Sequence, residues 1–277
     1  MDTLLPSQPE TYWQLLRRSI RLYRVTFKKV ALLAALLAIT TFVPRLLSFA
    51  IGQDILHNIG LFSLNQLWLT MLNLVAFIFF IAIIWHMHCE IIHKRDTLRE
   101  DFKIGFKKVI TIFIASTLQS LLVIGIVAII IGSQMFIHYN LPWIFESAIG
   151  IWIASLLFLF ELTVLAYFAT LFIFIVPLVA IEDKGILSSL QRSVTLVWNH
   201  WWRTITLQAT PWICLILILA FAKFILNINV HIYFLDQLTH PLLLTILQII
   251  IFAVFIPWVA ATLLVQLQDL ELRKNLT

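Results

Sequence analysis

Long unbroken runs of apolar residues most constrain what this chain can fold into. Six runs lie near residues 30–51, 67–89, 109–132, 149–180, 204–226 and 241–266. A helix needs about 20 apolar residues to cross a hydrocarbon core of about 30 Å, and each run is long enough. The runs lack period 2 or 3.6, which indicates helices that are apolar on all sides and face lipid. The sequence therefore predicts an all-α polytopic protein with six transmembrane helices.

The composition excludes a soluble domain. Hydrophobic residues make up 61% of the chain and charged residues only 12%. In soluble domains about 45–50% of residues are apolar and about 25% are charged. The short loops leave no room for a soluble basic module, so the excess of cations indicates attraction to a membrane surface and not to nucleic acid. We expect residues 1–277 to form one integral membrane domain, without a cofactor and with anionic membrane lipids as partners.

The placement of lysine and arginine predicts the orientation. Seventeen of the 19 lie before the first apolar run, between the second and third, between the fourth and fifth, or after the sixth. Only Arg45 and Lys223 fall on the other side. Because cytoplasmic loops carry the excess of basic residues, both termini are expected in the cytoplasm.

An amphipathic segment precedes each odd-numbered run, at residues 12–28, 98–109 and 186–201. Each places apolar and aromatic residues on one face and, in the first two, basic residues on another, which is typical of a helix lying in the membrane interface. The fold predicted is thus three transmembrane hairpins, each preceded by a cytoplasmic amphipathic helix.

These units also resemble one another in sequence, with boundaries near 12–92, 97–182 and 185–268. Residues 16–27 share a pattern with residues 190–201 at a constant offset, and Phe27-Lys28-Lys29-Val30 recurs as Phe106-Lys107-Lys108-Val109. Parallel repeats of this kind occur in transporters. Chance similarity among apolar and basic residues is the alternative.

The most specific stretch runs from Pro177 to Trp202, with Glu182, Gly185, Ser189-Leu190, Arg192-Ser193, Leu196-Val197 and Trp201-Trp202. It resembles the YciC family of uncharacterised bacterial inner-membrane proteins. It is also similar to the membrane domain of some glycerophosphoryl diester phosphodiesterases. The resemblance implies a multi-pass protein of the bacterial inner membrane. It implies no enzyme, since the catalytic barrel of those phosphodiesterases has no room here.

The stretch also has a physical interpretation. Pro177 is expected to kink the fourth helix, and Ser188 or Ser189 to satisfy exposed backbone donors. Basic and aromatic side chains at headgroup depth are candidates to bind lipid headgroups; they are Arg18, Lys107, Arg192, Trp201 and Trp202.

Two further groups of polar residues suggest sites. Arg45 and Glu161 fall within spans at similar depth and are candidates for an intramembrane ion pair; an unpaired Glu161 would suit a transporter. His86, Glu90 and His93 share one helix face at i, i+4 and i+7 and are weak candidates for metal ligands. Their spacing does not match the zinc-protease motif, and polar residues are common where a span ends.

Three functions follow, in order of preference. The first is a non-enzymatic protein that interacts with lipid, in envelope homeostasis or as a scaffold. The second is a transporter or transporter subunit that uses Glu161. The third is an intramembrane metalloenzyme built on the histidine cluster.

Overall fold

The computed structural model describes residues 4–51, 64–94, 97–140, 148–226 and 241–276. All regular secondary structure in these ranges is helical. The helices are α1 Tyr12–Ile51, α2 Leu64–Ile91, α3 Leu98–Asn140, α4 Ala148–Leu171, α5 Ile175–Glu182, α6 Ile186–Val197, α7 Trp201–Leu226 and α8 Pro241–Lys274, with a 3-10 turn at Trp198–His200 before α7.

Five stretches of the described residues are long and apolar enough to cross a membrane, namely Tyr12–Leu47, Leu67–Ile91, Leu98–Ile137, Trp152–Glu182 and Thr245–Lys274. The prediction of an all-helical chain is thereby confirmed, and the five stretches are compatible with a multi-pass membrane protein. The predicted fifth span corresponds to α7, a helix of 26 residues that is not among the five. Some side chains in the last turns of α7 are not among those that the structure describes.

The first two amphipathic segments are not separate helices. Residues 12–28 and 98–109 continue directly into the apolar residues that follow, as α1 and α3. The reason in α1 is that no glycine or proline occurs before Pro44, so nothing interrupts the backbone hydrogen bonds. Only the third segment is set apart: α6 ends at Val197, and the turn that follows contains Asn199, a weak helix former.

The fourth predicted span is interrupted between α4 and α5. The break falls at Phe172–Phe174 and includes Ile173, four residues before Pro177, where a proline ring clashes with the carbonyl of a continuous helix, so the expected interruption is found one turn before the proline. Pro177 itself lies in the first turn of α5, where an N–H has no helical partner to lose.

Ser193 of α6 satisfies the backbone at this break. Its buried hydroxyl donates to the carbonyl of Leu171 at 2.6 Å and accepts from the N–H of Phe174 at 3.3 Å. Ser188 and Ser189 were predicted to accept backbone N–H groups, but their hydroxyls donate to the carbonyls of Gly185 and Ile186. A helix break inside a membrane needs such partners, because lipid offers none.

The core is built around α1, which packs along both α2 and α8, while α2 also packs along α3. Fully buried side chains from several helices meet there, including Leu22, Leu33, Met87, Phe174 and Val265. The crossing of α2 and α3 is close: a Cβ placed on Gly105 would lie 2.6 Å from the carbonyl oxygen of Ile78. The outer surfaces of α3 and α4 carry large exposed apolar side chains, as lipid-facing helices do.

Candidate functional site

The beginning of α1, the end of α2, the beginning of α3, α5, α6 and the end of α8 meet at one end of the bundle, which we call the basic end. Polar contacts hold this end together. The ion pairs are Arg18 with Glu10, Lys29 with Glu90, Lys108 with Asp183, Arg192 with Glu271, Arg203 of α7 with Asp269, and, within α8, Arg273 with Asp269. His86 of α2 also contacts the carboxylate of Asp101 of α3.

Asp269 takes part in two of these contacts. Its carboxylate is fully buried, accepts the backbone N–H of Glu10 at 2.8 Å, and pairs with Arg273 at 2.9 Å and Arg203 at 3.3 Å. Both arginines also donate to the carbonyl oxygen of Glu10. A buried charge with this many partners is compensated.

His200 lies beside this group and is affected by it. Burial first, and then the positive charges of Arg273 and Arg203, lower the pKa of His200 below its ordinary value, although Asp269 opposes the shift. The neutral form of His200 is therefore favoured here.

The segment before α1 is held in a defined conformation. Gln14 in the first turn of α1 makes the reciprocal half of a capping box, because its side-chain oxygen accepts both the backbone N–H of Thr11 at 2.8 Å and the Thr11 hydroxyl at 2.9 Å. The Nε of Arg18 donates to both carboxylate oxygens of Glu10 at 2.7 Å. A small cavity of about 230 Å³ lies beside this contact, lined by Glu10, Gln14, Arg17, Arg18 and Arg21.

The five residues predicted to bind headgroups have different environments. Arg18 and Arg192 are half-buried and have carboxylate partners, Glu10 and Glu271. Trp201 packs edge-on against Tyr167 at 5.4 Å between ring centres.

Only two of the five are exposed. They are Lys107 and Trp202, and Trp202 is 64% exposed.

Most of the available positive charge lies on residues that the sequence did not single out, Lys107 being the exception. On α1 and α3, six exposed cations make no side-chain hydrogen bond or ion pair within the described part of the chain: Arg17, Arg24 and Lys28 on α1, and Arg99, Lys103 and Lys107 on α3. We call them the exposed cations. Large exposed aromatic rings, Trp13 and Phe106, accompany them. Sequence alone did not separate these cations from Arg18 and Arg192, because the partner of Arg18 lies in the segment before α1 and that of Arg192 lies on α8.

The two intramembrane charges do not meet. Arg45 donates to the side-chain oxygen of Gln248 on α8 at 2.8 Å. Glu161 on α4 instead accepts Gln134 at 2.6 Å and Ser133 at 3.1 Å, both from α3. The expected ion pair is replaced by two separate polar contacts, because α1 packs against α8 and not against α4.

The three histidine-cluster residues also have separate roles. His86 is buried and its Nδ1 lies 2.8 Å from a carboxylate oxygen of Asp101, while Glu90 pairs with Lys29 at 2.7 Å. Within the described ranges, no group of three or more histidine, cysteine or acidic residues is arranged to hold a metal ion. The three residues do share one feature: all line a cleft of about 640 Å³ at the end of α2.

The end of α2 has an unusual backbone. His93 has φ of 54°, the left-handed conformation that favours glycine. The N–H of Lys94 donates to the carbonyl of Cys89, and that of His93 to the carbonyl of Glu90, which together form a Schellman motif. This turn directs the chain from α2 towards α3 at the cleft.

Comparison with known proteins adds no further relationship, since no family model, curated protein or solved structure matches the chain.

Proposed function

We propose that this chain is a non-enzymatic protein of the bacterial inner membrane that binds anionic lipid at its cytoplasmic face, in envelope homeostasis or as a scaffold. The observation that carries the proposal is the set of exposed cations on α1 and α3. Glu10, Glu90, Asp183 and Glu271 pair with other cations, whereas these six make no ion pair within the described residues and remain available for phosphates.

The strength of the attraction follows from their number. A cation near an anionic leaflet contributes roughly 1 kcal/mol, so several acting together bind lipid tightly. Exposed aromatic rings beside them, Trp13 and Phe106, suit headgroup depth. The proposal places both termini in the cytoplasm and takes α7 as a sixth span, giving three repeated hairpins. The YciC-like resemblance agrees with this topology.

Glu161 gives the transporter its one supporting observation, a carboxylate held by two polar side chains of α3. Its neighbours Leu157, Phe158 and Phe160 are exposed side chains on the outer surface of α4. Both cavities described above lie at the basic end, away from Glu161. A lipid function therefore has more support. The metalloenzyme has less, since His86 and Glu90 are committed to other partners.

The test compares lipid enrichment around three forms of the protein in nanodiscs of equal phosphatidylglycerol and phosphatidylethanolamine. One variant carries Arg17→Gln, Arg24→Gln, Lys28→Gln and Lys107→Gln. The matched control exchanges lysine and arginine at the same four positions and so preserves charge. We expect the lipids extracted with the protein to be enriched in phosphatidylglycerol for wild type and control, and to lose most of that enrichment in the glutamine variant. Equal enrichment in all three would refute the proposal.

A further inference from the structure

The cleft at the end of α2 combines charges of both signs with an apolar edge. It is lined by Lys29 of α1, by His86, Cys89, Glu90, His93 and Lys94 at the end of α2, and by Thr97 and Leu98 at the beginning of α3. At about 640 Å³ it lies in the size range of small-molecule sites, about 300–1,000 Å³.

The two lysines at this cleft are held in place but remain accessible. The Lys29 ammonium lies 2.7 Å from a carboxylate oxygen of Glu90 and is 51% exposed. Lys94 extends over the ring of Trp85, 5.7 Å from its centre, an arrangement that positions a cation without neutralising it. Both therefore retain the capacity to bind a phosphate.

Glu90 requires a hydrogen-bond donor on the ligand, whereas the two lysines require an anion. Its carboxylate is 26% exposed and accepts hydrogen bonds only. A bare phosphate entering the cleft would meet this negative charge. A headgroup that carries a hydrogen-bond donor next to its phosphate, such as an ammonium or a hydroxyl, would satisfy Glu90 and the lysines together.

The apolar edge favours a lipid over a soluble phosphate. Leu98 lines the cleft and is 39% exposed. Two further large apolar side chains are close to lining residues in sequence, namely Ile92 before His93, which is 52% exposed, and Phe102 one turn after Leu98, which is 37% exposed. A ligand with acyl chains covers this surface as its headgroup enters, whereas inorganic phosphate leaves it exposed. The cleft is lined in part by α1 and α3, the two helices that carry the exposed cations.

We infer that this cleft binds one phospholipid by a headgroup that joins a phosphodiester, held by Lys29 and Lys94, to a hydrogen-bond donor, held by Glu90. The inference rests on the proposed lipid function and goes beyond it. The exposed cations attract a lipid surface, whereas the cleft selects one molecule by the chemistry of its headgroup.

The experiment is native mass spectrometry of the whole protein in mild detergent, titrated separately with five ligands. These are dihexanoyl phosphatidylglycerol, dihexanoyl phosphatidylethanolamine, dihexanoyl phosphatidylcholine, sn-glycerol 3-phosphate and inorganic phosphate. We expect one molecule of either of the first two to bind, and phosphatidylcholine, which lacks a donor, to bind at least fivefold more weakly. Equal binding of glycerol phosphate or inorganic phosphate would overturn the lipid assignment.

Variants separate the cleft from the surface. Lys29→Gln with Lys94→Gln should weaken binding of the single lipid about thirtyfold, since each cation contributes a factor of about five. The matched control, Lys28→Gln with Lys103→Gln, removes two exposed lysines outside the cleft and should leave that lipid bound. Undiminished binding to the first variant, or a wild type that binds no single lipid, would overturn the inference.

Two further readouts keep the outcome interpretable. Lys94→Gln breaks no ion pair, so it tests the cleft if the double variant does not fold, and it should weaken binding about fivefold. Phosphatidylglycerol enrichment in nanodiscs is measured for the same proteins. The cleft variant should keep that enrichment and lose the single lipid, so failure of the cleft and failure of the proposed function give different results.

Discussion

Single residues at the basic end could be grouped from the sequence, but their individual contacts could not be predicted. The sequence identified His86, Glu90 and His93 as a group because they share a helix face, and the structure places all three at one cleft. Their individual roles depended on Asp101 and Lys29, which come from other helices. The left-handed backbone at His93 had no signal either, because glycine is the residue that marks such a turn.

His93 provides the first prediction at this scale. His93→Gly should raise the free energy of unfolding by about 1 kcal/mol, because glycine adopts a positive φ without the clash of a Cβ. In a chain of this size that corresponds to a rise in the melting temperature of about 2 °C in detergent.

The control is His93→Ala, which removes the imidazole but keeps the Cβ. We expect no gain in melting temperature from alanine. Equal gains from glycine and alanine would mean that the side chain, and not the backbone, determines the effect.

At the scale of elements, apolar runs located most of the long helices because lipid imposes a minimum length. Their ends and breaks were less predictable. Pro177 is a signal for the interruption at Phe172–Phe174, but no signal identified Ser193 as the residue that satisfies its backbone, because Ser193 lies beyond it in another helix. The continuity of α1 was missed because an amphipathic pattern followed by an apolar one does not itself require a break.

The crossing of α2 and α3 gives the second prediction. Gly105→Ala should lower the free energy of unfolding by about 1–3 kcal/mol, because the new Cβ would overlap the carbonyl oxygen of Ile78 and force the helices apart. Thermal unfolding followed by circular dichroism in detergent measures the change.

Gly125→Ala is the matched control on the same helix. A Cβ there meets no atom within 4 Å, so the higher helix propensity of alanine should leave stability unchanged or raise it. A loss at Gly125 as large as that at Gly105 would contradict the packing explanation.

For the whole molecule, the sequence predicted a basic face but not how its charges are divided. Which charges are paired and which remain available depends on contacts such as that between Glu10 and Asp269, which are 259 positions apart. No local pattern reveals such a pair. The same limitation explains why Arg45 and Glu161, placed at equal depth by counting residues, are found on helices that do not pack together.

Asp269 gives the prediction at this scale. Asp269→Asn should lower the free energy of unfolding by about 3 kcal/mol, since it leaves Arg203 and Arg273 without their shared carboxylate. The residues before α1 should also become accessible to limited proteolysis, because the contact between Glu10 and Asp269 is weakened.

Glu271→Gln is the comparison. It removes a partly exposed partner of Arg192 and should cost less than about 1 kcal/mol. The explanation would be wrong if the two substitutions had equal effects, or if the segment before α1 stayed protected in Asp269→Asn.

The contact between Glu10 and Asp269 also sets an order of events during synthesis. Residues at positions 10 and 269 can meet only after α8 has been translated, so the segment before α1 lacks this partner for most of synthesis. Helix α1 can pack along α2 earlier, but its contact with α8 comes last. A chain terminated before α8 would leave the side of α1 that faces α8 uncovered, and a chaperone or insertase that covers that side would protect the nascent chain.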